Sequence, residues 1–526
     1  MRAGLWLLLA AVLVVGGCSS RAPDGGRADA ATLRRGNGPE PDSLDPQLAR
    51  SDSAANILRD LYEGLATLDA SGDPRPGAAA AWSVSADGRT YTFRIRAGAR
   101  WSNGEPLTAS DFVAAWQRLV DPKTGSQYAA VLEPVENAAE IVAARAPVSA
   151  LGVSAPDAAT LSVHLTAPTP YFPGLVAHWS TFPLHRGSAG GTSGVAVTNG
   201  AFTLSEWVVG SHVLLMRNHR YWNDAATRLE RVRYEHAPDA NDEYARYRAG
   251  SLDATYTLPQ QPIERLKAVH AAALHLGPQL GIYYYGFNLE RAPFKGADGL
   301  RRALAMSIDR ERLVAAVTGF GELPAYAWVP PGTAGYTPQR FEWAGKPYAE
   351  RVVSAQRLYA LAGYSAAKRL HLTLSYPSGA VHERIAIAVA AMWQTALGVE
   401  TELRGEEFKS LLQTINRGEA ELFRSSWVGD YNDAYTFAQV LGSDFGINLV
   451  RYRSSAYDAA LKAAAAEPDA GRRRLILEAA ERQMLADTPL VPLYFLVNKH
   501  LVAPRVSGWY DNVMNVVYSK DLALGR

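Results

Sequence analysis

The segment WVGDYNDAYTF, residues 427–437, places two acids among several aromatic residues. It is too polar for a buried strand and too aromatic for an ordinary solvent loop. An ammonium group taken out of water requires a paired carboxylate, which Asp430 could supply, and Trp427 offers a flat wall that accepts many side chains. Alternatively, Asp430 is a turn residue whose carboxylate binds the neighbouring backbone. The segment alone leaves both interpretations open.

Elsewhere in the chain, the sequence patterns typical of catalytic and metal-binding sites are incomplete or absent. His382-Glu383 begins like the HExxH zinc-protease motif, but Ala386 occupies the position that the second histidine would need. There is no GxSxG nucleophile elbow and no Walker A loop. The eleven histidines show no metal-ligand spacing, and Cys18 is the only cysteine, which excludes an internal disulfide. We therefore expect no enzyme activity, no metal and no cofactor.

The amino-acid composition narrows the classes of protein that remain. The 526 residues suffice for two or three domains with real cores, and 48% hydrophobic with 20% charged residues is typical of a globular protein. Because 53 Lys and Arg are balanced by 52 Asp and Glu, the sequence gives no sign of a nucleic-acid-binding surface.

The N-terminus has the features of a secretion signal. A basic second residue precedes an unbroken apolar run over residues 5–15, which is short for a membrane span, and the sequence VGGC then ends at Cys18. Small residues before a cysteine resemble the bacterial lipobox, which predicts residues 1–18 as a lipoprotein signal peptide with lipid attached to Cys18. Residues 19–32 would form a flexible tether. The alternative is an ordinary signal peptide with an incidental cysteine.

The rest of the chain alternates irregularly between strand and helix patterns, which predicts a mixed α/β protein. Apolar residues alternate with polar ones over residues 91–96, as in a half-buried strand. Thr108 and Asp111 resemble a helix capping pair, and Pro122 ends the amphipathic helix that follows. After about residue 280, strand–helix–strand units indicate an α/β domain.

Taken together and in order, several segments resemble the extracytoplasmic solute-binding proteins of peptide ABC importers, family 5. The matching stretches spread over nearly the whole mature chain and are SLDPQ, RDLYEGL, FRIRAGARWSNGEPLTASDFVAAWQRLVDP, NGAFTLSEW, YYYGFNLERAPF, RRALAMSIDRERLV and WVGDYNDAYTF. The long third stretch is the most specific of them.

The resemblance implies the two-lobed periplasmic-binding-protein clamshell of type II, peptide-binding cluster, with three domains. Domain I of the first lobe would comprise residues 33–62, 186–280 and 497–526. Domain II, inserted in the first lobe, would comprise residues 63–185. Domain III, the second lobe, would comprise residues 281–496.

The resemblance also implies a function. The protein would be a monomeric lipoprotein receptor at the extracytoplasmic face or in the periplasm, anchored through Cys18 to a membrane whose identity, inner or outer, stays open. It would bind oligopeptides between its lobes and deliver them to the permease subunits and ATPases of an ABC importer. The alternatives are a receptor of the same fold for a murein peptide, dipeptide, nickel chelate or haem, and a secreted peptide hydrolase.

In the family, the aspartate at the position of Asp430 receives the peptide's α-amino group. The other expected ligand contacts are Trp427, Gly429, Phe408 and Leu412 in the pockets, Arg424 and His382 for the carboxylate, and Ser51 and Asp52 for backbone pairing. Core packing is the alternative role for Phe408 and Leu412.

Two departures from the family pattern bear on these expectations. Ile415 stands where the family has an arginine, and Arg417, two positions on, is a possible substitute that would point elsewhere on the helix. Arg50, Ser51 and Asp52 are bulkier and more charged than the usual family residues. Carboxylate capture is therefore expected to be shared between Arg424 and His382.

Overall fold

The computed structural model describes residues 32–186 and 196–525. Cys18, the predicted signal peptide and all but the last residue of the predicted tether lie outside the described residues. That last residue, Thr32, is the first residue of a strand. Among the described residues, no helix combines the length and the apolarity needed to cross a membrane.

The strands of the described residues, numbered in chain order, are β1 (Thr32–Gly36), β2 (Ala66–Leu68), β3 (Pro74–Pro76), β4 (Ala79–Val84), β5 (Thr90–Ile95), β6 (Val153–Asp157), β7 (Thr160–His164), β8 (Phe202–Val208), β9 (His212–Arg217), β10 (Arg231–Glu235), β11 (Leu274–Phe287), β12 (Leu323–Pro324), β13 (His371–Pro377), β14 (Glu400–Glu406), β15 (Leu422–Val428), β16 (Leu490–Leu501), β17 (Val506–Ser507) and β18 (Ala523–Leu524). The longer α-helices are Asp52–Leu61, Ala109–Val120, Ala240–Arg248, Ile263–His270, Asp298–Met306, Tyr348–Leu361, Ala380–Leu397, Phe408–Asn416, Ser455–Ala466 and Ala470–Asp487. Shorter helical turns are Ala138–Val142, Phe172–Leu175, Arg310–Arg312, Tyr435–Ala438 and the π-helical turn Leu313–Thr318.

Local sequence patterns explain the strand and helix that were predicted around residues 91–122. Alternate residues of β5 are buried, as expected for a half-buried strand. Thr108 and Asp111 form a reciprocal capping box at the start of helix Ala109–Val120, which satisfies backbone N–H groups that have no partner within the helix. Both predictions are confirmed.

The sheets assemble into two lobes, which confirms the predicted mixed α/β clamshell. The first lobe holds two four-stranded sheets, in the orders β1-β10-β9-β8 and β4-β5-β7-β6. The second lobe is built on a six-stranded sheet in the order β12-β16-β11-β15-β13-β14. Each lobe has its own large buried apolar cluster, so each has the core that an independent layer structure requires.

The long antiparallel strands β11 and β16 link the two lobes. Their pairing is interrupted by a register shift between Pro278 and Ile282, and the end of β16 continues into a bridge between Val502 and Ala254 of the first lobe. The loop that follows β15 begins next to this irregularity, because the Gly429 N–H donates to the Leu280 carbonyl at 2.8 Å. The Asp430 segment therefore lies where the lobes meet.

Candidate functional site

Asp430 is the second residue of the loop after β15 and lies at the junction between the lobes. Its backbone N–H donates to Thr436 Oγ1 at 3.2 Å. Among the described residues, no cation lies within ion-pair distance of its carboxylate, and no backbone N–H hydrogen bond to that carboxylate is found. The side chain still meets water in the cleft, but the surrounding protein desolvates the carboxyl group and raises its pKa to about 6, an effect that Thr436 partly offsets. A carboxylate that is partly desolvated and has no cationic partner is suited to binding a cation.

Asp433 behaves differently, although it lies only three residues away. Its Oδ1 accepts a hydrogen bond from the Tyr435 N–H at 2.8 Å, and its carboxylate forms a paired contact with Arg473 at 2.7 and 2.9 Å. Both oxygens of Asp433 are therefore used within the protein, which gives this residue a structural role.

The residues after Asp430 insert into the first lobe. Tyr431 is only 4% exposed, and it belongs to the buried cluster of the first lobe. Its ring stacks on Tyr171, with centroids 4.4 Å and planes 3° apart. The side-chain amide of Asn432 donates to Asp73 Oδ1 at 2.9 Å. The loop is thus tied to both lobes, and Asp430 sits at their junction.

Two cavities flank this junction, and Asp430 lines both of them. One, of about 210 Å³, is bounded by Arg59, Asp73 and His178 of the first lobe together with the Tyr171–Tyr431 stack. The other, of about 220 Å³, has Tyr128 and Glu133 in its wall and is lined by the same two tyrosines. The two cavities therefore share the stacked tyrosines and Asp430 in their linings.

Arg424 and His382 converge on one ring, that of Tyr283. The Arg424 guanidinium lies 4.3 Å from the Tyr283 ring centroid, and Tyr283 Oη is 3.2 Å from His382 Nδ1. Burial, followed by the nearby Arg424 charge, lowers the pKa of His382 to about 4. His382 is therefore neutral near pH 7, and Arg424 is the charged member of the pair. Among the described residues, no carboxylate lies within ion-pair distance of Arg424, and its Nε is buried without a hydrogen-bond partner.

Trp427 does not share a face of β15 with Arg424. Arg424 pairs with Tyr285 and Trp427 pairs with Ile282 across the β11–β15 ladder. Since side chains alternate along a strand, residues three apart point to opposite faces. Trp427 is partly buried against the second-lobe core, and its indole Nε1 is buried without a partner.

Helix Phe408–Asn416 presents two different faces. Phe408 is 54% exposed and Leu412 is half-buried, whereas Leu411 and Ile415 are buried in the second-lobe core. Ile415, at 2% exposure, is therefore a core residue at the position for which the family resemblance predicts an arginine. Arg417 cannot readily replace that arginine, because its guanidinium is engaged by Glu419 at 2.8 Å through two hydrogen bonds.

The segment around Ser51 caps the helix that follows it. Ser51 is the N-cap of helix Asp52–Leu61, where its Oγ accepts from the Ala54 N–H at 3.2 Å, and Asp52 lies exposed in the first turn. The backbone N–H groups of Arg50 and Ser51 both donate to the Asp42 carboxylate, at 2.8 and 3.0 Å. These two donors are thus already occupied within the protein.

Sequence reasoning missed the contribution of the first lobe to the Asp430 cavities. Arg59 lies inside the matched stretch RDLYEGL, which was a signal for the family but not for a role of this side chain. Asp73 and His178 lie in turns far apart along the sequence. No spacing rule connects them with Asp430, because only the packing of the two lobes brings them together.

The described residues hold no group of three or more His, Cys, Asp or Glu side chains that could bind a metal ion. The family model for the bacterial extracellular solute-binding proteins, family 5, matches residues 73–448. The chain belongs to this family. The match extends across both lobes and includes Asp73, Arg424 and Asp430.

Individual family members are similar over almost their full length. The chain is 37% identical to the periplasmic oligopeptide-binding protein OppA of Escherichia coli, with 92% of this chain and 90% of the relative covered. It is equally 37% identical to the periplasmic murein peptide-binding protein MppA of the same species, with coverages of 92% and 91%. The unliganded open form of MppA superposes with a TM-score of 0.86 at 36% identity, covering 94% of this chain and 97% of that one.

Proposed function

We propose that this protein is an extracytoplasmic receptor that binds oligopeptides in the cleft between its lobes and delivers them to the permease of an ABC importer. The observation that carries the proposal is the Asp430 carboxylate, which lies at the lobe junction without a cationic partner among the described residues and has a pKa of about 6. A ligand ammonium would supply the missing charge. The names of the OppA and MppA relatives support a peptide as that ligand.

A free cation in the second lobe supports the same class of ligand. Arg424 has no carboxylate partner among the described residues, and the neutral His382 beside it can add a hydrogen bond. A peptide in its zwitterionic form carries the two charges that Asp430 and Arg424 lack. We therefore assign the α-ammonium to Asp430 and the carboxylate to Arg424 with His382. Trp427, Gly429, Phe408 and Leu412 are proposed to bound the pockets between them.

The proposed domain division follows the sheets. Strands β1 and β8–β10 fall within domain I, strands β4–β7 within domain II, and strands β12–β15 within domain III. We propose residues 33–62, 186–280 and 497–526 for domain I, 63–185 for domain II and 281–496 for domain III. A peptide held by both lobes would favour their closed arrangement by its differential affinity for that state.

The decisive experiment is mass spectrometry of ligand that co-purifies with the protein, followed by incubation with a defined peptide mixture. Recovery of intact peptides with free N-termini is expected. Recovery of a murein peptide, a nickel chelate or haem would assign another solute to the same fold, and cleaved peptides would indicate a hydrolase.

Calorimetry then tests the role of Asp430. Asp430→Asn keeps the shape and removes the charge, and it should weaken peptide binding by about two to four powers of ten if closure buries the ion pair. N-acetylation of the peptide should weaken binding to the wild type to a similar extent and have little further effect on the variant. Equal binding of acetylated and free peptides by the wild type would contradict the assignment.

A further inference from the structure

Arg59 of the first lobe carries a charge that no neighbouring acid neutralises. It lies in helix Asp52–Leu61, with its guanidinium 5.2 Å from the Trp179 ring centroid. Its side chain makes one long hydrogen bond, 3.5 Å, to Asn56 Oδ1. Among the described residues, no carboxylate lies within ion-pair distance of it, and burial lowers its pKa, an effect that Tyr518 and then the more distant Asp52 partly offset. A desolvated charge without a partner is unfavourable unless a ligand supplies one.

The Arg59 side chain faces the 210 Å³ cavity that Asp430 also lines. His178 is part of the same wall, and burial, followed by the Arg59 charge, lowers its pKa to about 3, so that it is neutral near pH 7. The Ser180 N–H donates to His178 Nδ1 at 3.3 Å. Ser180 Oγ lies 2.8 Å from the same nitrogen. With Nδ1 accepting from the Ser180 N–H, the proton of the neutral imidazole lies on Nε2, and His178 is a hydrogen-bond donor. Arg59 and His178 are therefore the two groups of this wall that suit an anion.

The remaining charges around this cavity leave Arg59 available. Asp73 accepts a hydrogen bond from Asn432, and Asp433 is paired with Arg473. Among the described residues, neither Asp73 nor Asp430 lies within ion-pair distance of Arg59; burial and then Asp69 raise the pKa of Asp73, and burial raises that of Asp430. Arg59 thus makes no ion pair with either acid among the described residues, and it is the cation that this cavity offers on the first lobe, where Asp73 also lies.

We infer that Arg59 is a specificity-determining residue that binds a carboxylate on the ligand's first side chain while Asp430 binds the adjacent α-ammonium. The favoured ligands are peptides that begin with glutamate or aspartate. A guanidinium forms strong charge-assisted hydrogen bonds with a carboxylate, and two such bonds can be made side by side. The inference rests on the proposed peptide-binding function.

The experiment compares three tripeptides, Glu-Ala-Ala, Gln-Ala-Ala and Lys-Ala-Ala, by calorimetry at pH 7. Glutamate and glutamine have the same shape and differ in charge, so their affinity ratio isolates the carboxylate. The proteins are the wild type, Arg59→Gln, Arg59→Lys and the control Arg75→Gln. Arg75 lies in β3 of the same lobe, where it pairs with Asp521 at 3.1 Å outside the cavity lining. Thermal unfolding of each variant checks that it is folded.

The wild type should bind Glu-Ala-Ala roughly tenfold more tightly than Gln-Ala-Ala, as expected for one hydrogen-bonded charge pair in a partly desolvated site. Arg59→Gln should remove this preference and leave Gln-Ala-Ala affinity within about threefold. Arg59→Lys should restore part of the preference, and Arg75→Gln should keep all of it. Lys-Ala-Ala should bind the wild type more weakly than Gln-Ala-Ala does.

Two results would overturn the inference. The first is equal affinity of the wild type for Glu-Ala-Ala and Gln-Ala-Ala, which is decisive even if Arg59→Gln does not fold. The second is a glutamate preference that survives in Arg59→Gln. Either result leaves peptide binding itself intact, whereas failure of all three tripeptides to bind would refute the proposed function as well.

Discussion

Tyr431 of the loop after β15 stacks on Tyr171 of the first lobe, with ring centroids 4.4 Å apart and planes 3° apart. Tyr431 directly follows Asp430, so this contact fixes the position of the candidate ammonium site relative to the first lobe. Tyr435 adds a second ring at 5.4 Å from Tyr171. The candidate site is thus supported by packing between lobes and not by the local turn alone.

Tyr431→Ala should lower the free energy of unfolding by roughly 3 kcal/mol, because it removes a buried aromatic ring from the first-lobe core. It should also weaken peptide binding, since the position of Asp430 is no longer fixed. Tyr171→Phe keeps the stacked ring and should change neither quantity much. Denaturant unfolding and calorimetry measure the two effects. Unchanged peptide affinity in a folded Tyr431→Ala protein would contradict the role given to the stack.

Peptide affinity should fall as the pH drops through about 6. The carboxyl group of Asp430 has a folded-state pKa of about 6, above its usual value of 3.8, so it loses its charge in this range and can no longer pair with the ligand ammonium. Well below pH 6 the affinity should decrease by up to about tenfold per pH unit. Calorimetry between pH 4.5 and pH 8 would show this decrease. In Asp430→Asn the same step should be absent.

Asp430→Asn should stabilise the protein in the absence of ligand. Because folding raises the pKa of this carboxyl group, the folded state disfavours its charge, and that unfavourable contribution is fully present above about pH 6. It disappears as the pH falls below the unfolded-state value of 3.8, where the group is protonated in both states. The melting temperature of the variant should therefore exceed that of the wild type at pH 7, and the difference should vanish near pH 3. A lower melting temperature at pH 7 would argue against desolvation of this group.

Some features of the fold and of the candidate site could be predicted from the sequence, and others could not. Helix Ala109–Val120 and its capping box were predictable because their signals are local. Asp430, Arg424 and His382 could be named through the family resemblance, but the neutrality of His382 depends on burial and on Arg424, which no local pattern encodes.

The first-lobe residues around Asp430 could not be predicted either, because no local pattern encodes their position. Arg59, Asp73 and His178 meet Asp430 only through the packing of two lobes, with chain separations of hundreds of residues. Ile415 illustrates the opposite case, because its apolar type alone is consistent with the buried position that the structure gives it.

Arg424→Gln should raise the pKa of His382 from its present value of about 4. Burial, the larger cause of the low pKa, remains in the variant, but the repulsion from the guanidinium is removed. An NMR titration of the imidazole should therefore show a His382 pKa above about 4 but still below the ordinary value of 6.5. Arg417→Gln, which removes a cation already paired with Glu419, should leave the titration of His382 unchanged.

The same variant tests carboxylate capture. Amidating the peptide C-terminus should weaken wild-type binding by about 1–2 kcal/mol or less if the site stays solvated. In Arg424→Gln the amidation effect should shrink, and it should do so for some peptide lengths more than others if His382 shares the role. A uniform loss across all lengths would indicate one dominant anchor at another position.

Closure of the lobes should accompany peptide binding. A peptide that touches both lobes binds the closed state more tightly, and this difference in affinity favours closure. Because Asp430 and the Tyr431 loop contact both lobes, a peptide that fills the cleft there can touch both sides. Small-angle X-ray scattering should therefore show a smaller radius of gyration at saturating peptide. Asp430→Asn, measured at a peptide concentration that saturates the wild type but not the variant, should keep the larger radius. A radius that does not change at saturation in the wild type would mean that binding and closure are not coupled in this protein.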